Sequence, residues 1–138
     1  MSSLYLDDDP NGRIVCELIL TKTKFFDEEY IEKVTFNPFL SFENNQERYT
    51  TKKRANAGPL VFWNEVFKLE MGAPPNNLFF QAFNQQFSGD KFLGETNVIS
   101  INQFPMGLSS IELFLSDEHK RKHTGKIYLQ LVKKKVVV

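Results

Sequence analysis

Two histidines are the side chains in this sequence best suited to acid–base or metal chemistry. His119 and His123 lie four residues apart in the charged stretch DEHKRKH. On a helix this spacing can bind zinc, but no third or fourth ligand is evident nearby. A hydrolytic triad needs a nucleophile, a base and an orienting acid that meet in space, and the sequence offers no such set around either histidine. We therefore interpret the stretch as a solvated, charged segment.

Carboxylates and glycines, which could bind metals or phosphates, occur in patterns of low specificity. The acidic runs are Asp7–Asp9 and Asp27–Glu29, and both lie in polar stretches where solvated charge is the common explanation. None of the 7 glycines belongs to a Gly-x-Gly-x-x-Gly or Gly-Lys-Ser/Thr loop of the kind that cradles phosphate. We therefore do not expect an enzyme, and we expect no catalytic residues, no metal and no cofactor.

Composition favours one domain in a reducing compartment. The 138 residues suffice for a single core, and the 14 phenylalanines favour strands over helices. Basic and acidic residues both total 17, so net charge gives no reason to expect a nucleic-acid partner. The one cysteine, Cys16, cannot form a disulfide within the chain, which favours a cytoplasmic location and a buried thiol. No segment approaches the ~20 apolar residues of a membrane span, so any membrane contact would be peripheral.

Eight segments carry the pattern of β-strands. In the first, apolar residues recur with period two from Ile14 to Leu20, as in a strand with one buried face. Pro38, inside the second, cannot donate to a ladder and should lie at a strand start, an edge or a bulge. Turn residues separate the segments at roughly 12–15-residue spacing, which predicts an all-β, eight-stranded antiparallel β-sandwich. The predicted strands cover residues 13–21, 34–42, 48–53, 60–69, 78–83, 92–101, 111–115 and 126–132.

Outside the strands, two short helices are predicted, at residues 27–33 and 116–122. Residues 1–11 are interpreted as a loose N-terminal leader that ends in an Asp-Pro-Asn-Gly turn. The folded domain is then expected to cover residues 12–135.

Four motifs in order resemble the C2-domain family, the phospholipid-binding sandwich of many signalling and trafficking proteins. Residues 37–42, NPFLSF, look like the family's Asp-Pro-Tyr-Val strand opening, and residues 62–67, FWNEVF, are similar to its Trp-Asn-Glu-x-Phe signature. Residues 78–84 and 92–95 resemble the strand, loop and Phe-Ile-Gly return that follow. The closing Gly-x-Ile-x-Leu-x-Leu matches residues 125–131. The resemblance implies a C2-type sandwich, with a strand order that suits the second (type II) topology.

Within the second motif, the residue types also permit a direct interpretation. Trp63 is expected to be a structural side chain that packs in the core or at its rim. Asn64 and Glu65 are expected to bind backbone groups of a neighbouring loop, because turns leave amides that need partners.

The resemblance also implies calcium ligands on three loops at one end, and here the sequence departs from the family. The first loop offers only Asp27 and three glutamates, Asn37 replaces an aspartate, and amides replace an Asp-x-Asp pair in the third loop. An aspartate remains near the final ligand position, although Lys91 could align there instead. Since carboxylates supply most of the affinity for calcium, we expect a degenerate, calcium-independent site. The positions concerned are Asp27, Asn37, Asn84, Gln86 and Asp90.

Two groups of side chains could contact lipid in the absence of calcium. Aromatic residues at loop tips can bury in the headgroup region, although Phe25 and Phe26 could instead finish the first strand and cap the core. Near an anionic membrane each basic residue contributes about 1 kcal/mol, although a solvated basic loop can also serve to keep edge strands from pairing. The candidate lipid-binding residues are Phe25, Phe26, Phe87, Lys52, Lys53 and Arg54.

Two functions remain open at this point. The first is calcium-independent peripheral binding to an anionic membrane surface, which should weaken with salt. The second is a protein–protein scaffolding domain, which should carry an apolar surface patch away from the loop end. In either case the chain could be part of a larger multidomain protein.

Overall fold

Strands predominate in the computed structural model, which describes residues 12–137. The predicted leader, residues 1–11, lies outside the described residues. Helix α1 spans Glu28–Lys33, and a 3-10 helix spans Ile101–Gln103. The strands are β1 (Gly12–Phe25), β2 (Pro38–Asn44), β3 (Glu47–Thr50), β4 (Leu60–Glu70), β5 (Asn77–Gln86), β6 (Gly89–Glu95), β7 (Ile99–Ser100), β8 (Gly107–Ser116) and β9 (His123–Val137).

The strands form one antiparallel, curled sheet. Its order is β3-β2-β5-β6-β8-β9-β1-β4, and β7 pairs with the start of β5. Between β6 and β8 only Glu95 and Ser116 pair, so the sheet bends there into two halves. The halves face each other across a shared core, in which the rings of Phe42 on β2 and Phe67 on β4 meet edge to face at 5.0 Å. An antiparallel, mostly β fold is thereby confirmed, whereas the type II topology stays a prediction.

Period-two burial fills the core from both halves. Cys16, Leu18 and Leu20 on β1 are buried, as their alternation predicts. Pro38 is the first residue of β2, a place where its missing N–H removes no ladder bond. Trp63 on β4 is also buried, and its indole Nε1 donates to Thr23 Oγ1 at 2.9 Å. Its structural role is therefore confirmed, with the indole N–H satisfied inside the core.

Four connections lie at one end of the strands, here called the loop end: residues 26–37, 51–59, 87–88 and 117–122. Backbone hydrogen bonds tie the 26–37 connection to its neighbours. Phe26 N donates to Thr124 O, at the start of β9, at 3.0 Å, and Ala57 N donates to Phe36 O at 2.9 Å. The 26–37 and 51–59 connections are thus held together.

The predicted strand 92–101 is wrong in its second half, because β6 stops at Glu95. Thr96 is buried and makes two hydrogen bonds with Phe80. Thr96 N donates to Phe80 O, and Thr96 Oγ1 accepts from Phe80 N. Just before it, Gly94 has φ +157°, and a Cβ there would collide with Thr124 Oγ1. The chain turns after this close approach, and Ile99–Ser100 returns to β5 as β7.

The predicted helix 116–122 is also wrong, whereas the predicted helix 27–33 is confirmed as α1. Strand β8 runs to Ser116, and a tight turn leads to β9 at His123. The Asp117 carboxylate accepts from Arg121 N at 2.7 Å, and Asp117 N donates to Lys122 O. These bonds close a hairpin, which charge patterning alone does not distinguish from a solvated helix. The predicted third strand, 48–53, is shorter and ends at Thr50.

Candidate functional site

Helix α1 carries Tyr30 towards the base of the loop end. Asp27 caps the helix, since its Oδ1 accepts from Tyr30 N at 3.1 Å. Ile31 anchors the helix in the core, and Tyr30 meets Phe36 edge to face at 6.5 Å. With its ring held in this way, the Tyr30 hydroxyl lies beside the last residues of β5.

Asn84, on β5, is a fully buried amide that ties three segments together. Its Oδ1 accepts from Asn37 N at 2.7 Å, and its Nδ2 donates to Tyr30 Oη at 3.0 Å and to Thr35 O at 3.4 Å. Asn37 continues the network, because its Oδ1 accepts from Asn56 N at 2.9 Å. The two asparagines therefore satisfy backbone groups of the 26–37 and 51–59 connections.

Two more side chains complete this cluster, here called the Tyr30 centre and consisting of Tyr30, Asn84, Gln86 and Lys91. Gln86 Nε2 donates to Tyr30 Oη at 3.2 Å. Lys91 lies opposite Asn84 in the β5–β6 register, and its Nζ sits 4.0 Å from the centroid of the Tyr30 ring. The amide N–H groups donate to Tyr30 Oη and an ammonium covers the ring, so the hydrogen bonds of the centre are internal and its charged group is positive.

Such an arrangement is a poor cation site. Calcium takes six to eight oxygens, mostly carboxylate and carbonyl, in exchange for its hydration shell. Within residues 12–137 no three His, Cys, Asp or Glu side chains are close enough together to hold a metal ion. Asp27 Oδ1 is engaged as the helix cap, and Asp90 is exposed opposite Gln85. The carboxylates that remain are thus not gathered around the amides.

The structure brings some of the predicted calcium-loop positions together but not others. Asn37 and Asn84 bond directly, and Gln86 joins them through Tyr30. Asp27 reaches the centre only through the backbone of Tyr30, and Asp90 does not reach it. Sequence reasoning missed Tyr30, although its position three residues after the capping Asp27 could have placed it on the first turn of α1.

The candidate aromatic residues differ sharply in exposure. Phe87, at the tip of the β5–β6 turn, is fully exposed, and Phe26 is 40% exposed. Phe25 is buried and meets Phe36 edge to face at 5.2 Å. Its assignment as a lipid-binding residue is therefore wrong, because it finishes β1 and caps the core.

The basic candidates also differ in their exposure and contacts. Lys52 and Lys53 are exposed, and Lys53 Nζ lies 5.6 Å from the centroid of Phe39. Arg54 instead donates from Nε to Phe62 O at 3.1 Å and from Nη2 to Trp63 O, and it pairs with Glu65. Its guanidinium is thus engaged with strand β4, which gives Arg54 a structural role, and its assignment as a lipid-binding residue stays a prediction.

The hydrogen bond to a loop backbone that was expected for Asn64 and Glu65 is found only for Glu65. Glu65 accepts from Lys52 N at 3.1 Å and so binds the backbone of the 51–59 connection. Asn64 is exposed and adopts φ +50°, where the register of β4 against β1 shifts. Its short amide side chain suits a left-handed residue in a bulge, so the expectation of a backbone tie is wrong for Asn64.

Other titratable groups form no site around these residues. His119 is exposed beside Glu118, and His123 is exposed and stacks on Phe114. Burial raises the pKa of the Cys16 thiol to about 11, which keeps it protonated and inert at neutral pH. No helix within residues 12–137 is long and apolar enough to cross a bilayer.

Comparison with known families decides the identity of this sandwich. A profile of the C2 domain matches residues 19–114. The chain belongs to the C2 domain family. The four motifs that resemble this family therefore identified it correctly. No curated protein sequence matches this C2 domain significantly.

Solved structures support the same fold. A C2 domain (domain A) of plant Extended Synaptotagmin 1 matches with a TM-score of 0.75 and 18% identity, over 94% of this chain and 98% of that one. A calcium-bound structure of two C2 domains (A and B) of Extended-Synaptotagmin 2 matches with a TM-score of 0.66 and 19% identity, over 90% of this chain and 46% of that one. Human GIVD cytosolic phospholipase A2 matches with a TM-score of 0.71 and 11% identity, over 90% of this chain and 16% of that one. At these identities the likeness concerns the fold alone.

Proposed function

We propose that this C2 domain is a non-catalytic module that binds anionic membranes peripherally and without calcium, through its loop end. The observation that carries the proposal is the full exposure of Phe87 at the tip of a turn whose neighbouring residue, Gln86, is fixed in the Tyr30 centre. A large aromatic side chain held out from a rigid base is suited to bury in the headgroup region of a bilayer.

The Tyr30 centre supports calcium independence. To coordinate the ion there, Asn84 Oδ1 would have to give up the hydrogen bond that it accepts from Asn37 N, and Lys91 would have to move. The ammonium of Lys91, which lies opposite Asn84, would also repel a divalent cation. The loops are already tied together by neutral hydrogen bonds, so they need no ion to order them.

Electrostatic attraction would add to the apolar contact. Lys52 and Lys53 lie on the 51–59 connection, and the exposed residues Lys120–Lys122 lie on the 117–122 connection of the same loop end. Each basic residue near an anionic surface contributes about 1 kcal/mol, and the attraction falls off within a Debye length. The binding should therefore be weak and sensitive to salt.

Flotation with vesicles of phosphatidylcholine and phosphatidylserine tests the proposal. We expect binding in chelator that equals binding in calcium and falls across a salt series. The substitution Phe87→Ser should weaken it, whereas the control Leu108→Ser, which removes an exposed apolar residue on β8 beyond the loop end, should not. Binding that requires calcium would overturn calcium independence, and equal effects of the two substitutions would overturn the role of the loop end.

A protein-docking function is the second candidate, and one observation favours it. Val98, Met106 and Leu108 are exposed apolar residues that lie away from the loop end, as a scaffolding domain would require. No vesicle binding by the wild-type domain in any of these conditions would favour this candidate over membrane binding.

A further inference from the structure

The outer face of the sheet half β8-β9-β1-β4 carries an unusual mixture of side chains. Its inner face builds the core, while the outward residues of the same strands meet solvent. The pairings give two adjacent rows nearest the loop end, here called the lysine–aromatic face. Across β8, β9, β1 and β4, the rows are Phe114–Lys126–Lys24–Leu60 and Glu112–Tyr128–Lys22–Phe62.

The apolar members of this face are large and exposed. Phe62 is 53% exposed, and Leu60 and Phe114 are each 46% exposed. In an antiparallel sheet with one solvated face, outward positions are usually polar. Leu60 and Phe62 are neighbours on β4 and Phe114 lies across the sheet on β8, so large apolar side chains flank the lysines and favour a surface that becomes covered.

The lysines of the face are held over aromatic rings. Lys22 Nζ lies 4.9 Å from the centroid of Tyr128, and Lys126 Nζ lies 5.3 Å from the centroids of both Tyr128 and Phe114. Lys126 pairs with Glu112. Among the described residues, neither Lys22 nor Lys24 has a carboxylate partner within ion-pair distance. The face therefore keeps an excess of positive charge beside its apolar residues.

The positive charge of the lysine–aromatic face distinguishes between the partners that could cover it. A second copy of this chain, placed face to face, would bring the excess lysines against each other, which is destabilising. An anionic occupant is complementary to them. Strand β1 ends one residue after Lys24, and the exposed Phe26 follows, so the face continues into the loop end without an intervening element. Lysine stems and aromatic rings together suit the boundary between headgroups and acyl chains.

We propose that the lysine–aromatic face is a second membrane-contact surface, in which Lys22 and Lys24 bind anionic headgroups while Phe62 and Phe114 lie at the headgroup boundary. The inference rests on the proposed membrane function and specifies its geometry. A domain held by both the loop end and this face lies tilted on the outer side of β1 and β4, and does not stand on its loop tips.

Charge substitution on the two ends of the same sheet face tests this surface. We expect Lys22→Gln/Lys24→Gln to weaken binding to phosphatidylserine vesicles about 10- to 30-fold at low salt. The matched control Arg13→Gln/Lys68→Gln removes the same charge from β1 and β4 at the far end and should have a clearly smaller effect. Equal losses from both double variants, or no loss from Lys22→Gln/Lys24→Gln while the wild-type domain binds, would overturn the surface and leave the proposed function standing. Failure of the wild-type domain to bind the vesicles would overturn both this surface and the proposed membrane function.

Site-specific labels supply an independent readout of orientation. Cys16 is buried with a pKa of about 11, so an environment-sensitive thiol probe should label only a cysteine introduced elsewhere. On vesicles, a probe at Phe114→Cys should report an apolar environment, and a probe at Val98→Cys, away from the loop end, should not. A probe at position 114 that stays in water while one at Phe87→Cys becomes buried would overturn the tilted geometry.

An acidic peptide is the competing anionic occupant, and poly-glutamate serves as its probe. The proposal expects Lys22→Gln/Lys24→Gln to change vesicle binding. Poly-glutamate binding that depends on these two lysines, together with unchanged vesicle binding, would assign the face to an acidic protein segment and overturn the membrane contact.

Discussion

The base and the tip of the loop end are formed by neighbouring residues that differ in burial and in hydrogen bonding. Asn84 and Gln86 have their amides engaged in the Tyr30 centre, while Phe87, the next residue, has no cover at all. At the base, the amides and Lys91 make internal contacts with Tyr30. The base therefore contributes to stability, and the tip is free to make contacts outside the domain.

The largest expected effect lies at the base. Asn84→Ala removes a buried amide with three partners and leaves Asn37 N–H without its acceptor. We expect a loss of about 2–3 kcal/mol in the free energy of unfolding, since unsatisfied buried groups cost about 1–3 kcal/mol each. Urea unfolding measures it. The neighbouring exposed Gln85→Ala should stay within about 0.5 kcal/mol, and an equal loss there would show that the base is not a specific centre.

A smaller effect is expected from Tyr30→Phe. The substitution keeps the ring that packs on Phe36 but removes the oxygen that accepts from Asn84 and Gln86. We expect a loss of about 1 kcal/mol in the free energy of unfolding, the usual net contribution of a hydrogen bond. A double-mutant cycle with Asn84→Ala should give a non-zero coupling energy, and strict additivity would contradict the shared network.

An intermediate effect on stability is expected in the β8–β9 turn, where the Asp117 carboxylate accepts hydrogen bonds from backbone N–H groups of its own loop. Partial desolvation alone would raise the pKa of Asp117, but the N–H groups of Arg121 and Lys122, with nearby positive charge, bring it below its ordinary value. A lowered folded-state pKa stabilises the fold above the ordinary pKa of aspartate, and this contribution is lost as pH falls through the folded value. Asp117→Asn should thus reduce stability slightly at pH 7 and not at pH 2. A difference from wild type that grows on acidification would contradict this.

The smallest expected effect on stability is at the tip. Phe87→Ser should leave the free energy of unfolding within about 0.5 kcal/mol of wild type, because the side chain is fully exposed. Thermal or urea unfolding measures it, alongside the vesicle assay. A large loss of stability would show that Phe87 packs against the fold in solution and would weaken its assignment as a membrane contact.

Much of the fold could be predicted from the sequence because period-two burial is a local signal. The alternation in residues 14–20 and the position of Pro38 are examples. Of the two errors of element type, the strand predicted at residues 92–101 arises from contacts between distant residues. Thr96 is fixed by Phe80 and Gly94 by Thr124, so nothing in the sequence around residues 92–101 marks the end of β6.

The arrangement of the candidate site could not be predicted from the sequence. The resemblance to the family implies that amides stand where it has carboxylates, and the degenerate calcium site expected from this stays a prediction. The sequence does not show that Tyr30 collects two of those amides, or that Arg54 turns away from solvent onto β4. Phe25 and Phe26 are adjacent and chemically identical, and only the end of the strand separates the buried one from the exposed one.

The position of Arg54 has a consequence for self-association. Strand β4 is the last strand of the sheet order, and an open edge of this kind can template pairing with another chain. Arg54 occupies the carbonyls of Phe62 and Trp63 with its guanidinium, and Glu65 holds the backbone N–H of Lys52 alongside. The middle of the edge is thereby closed to a foreign strand. Loss of Arg54 would expose a β-rich, aromatic segment, and aggregation through β4 would follow before any loss of the fold itself.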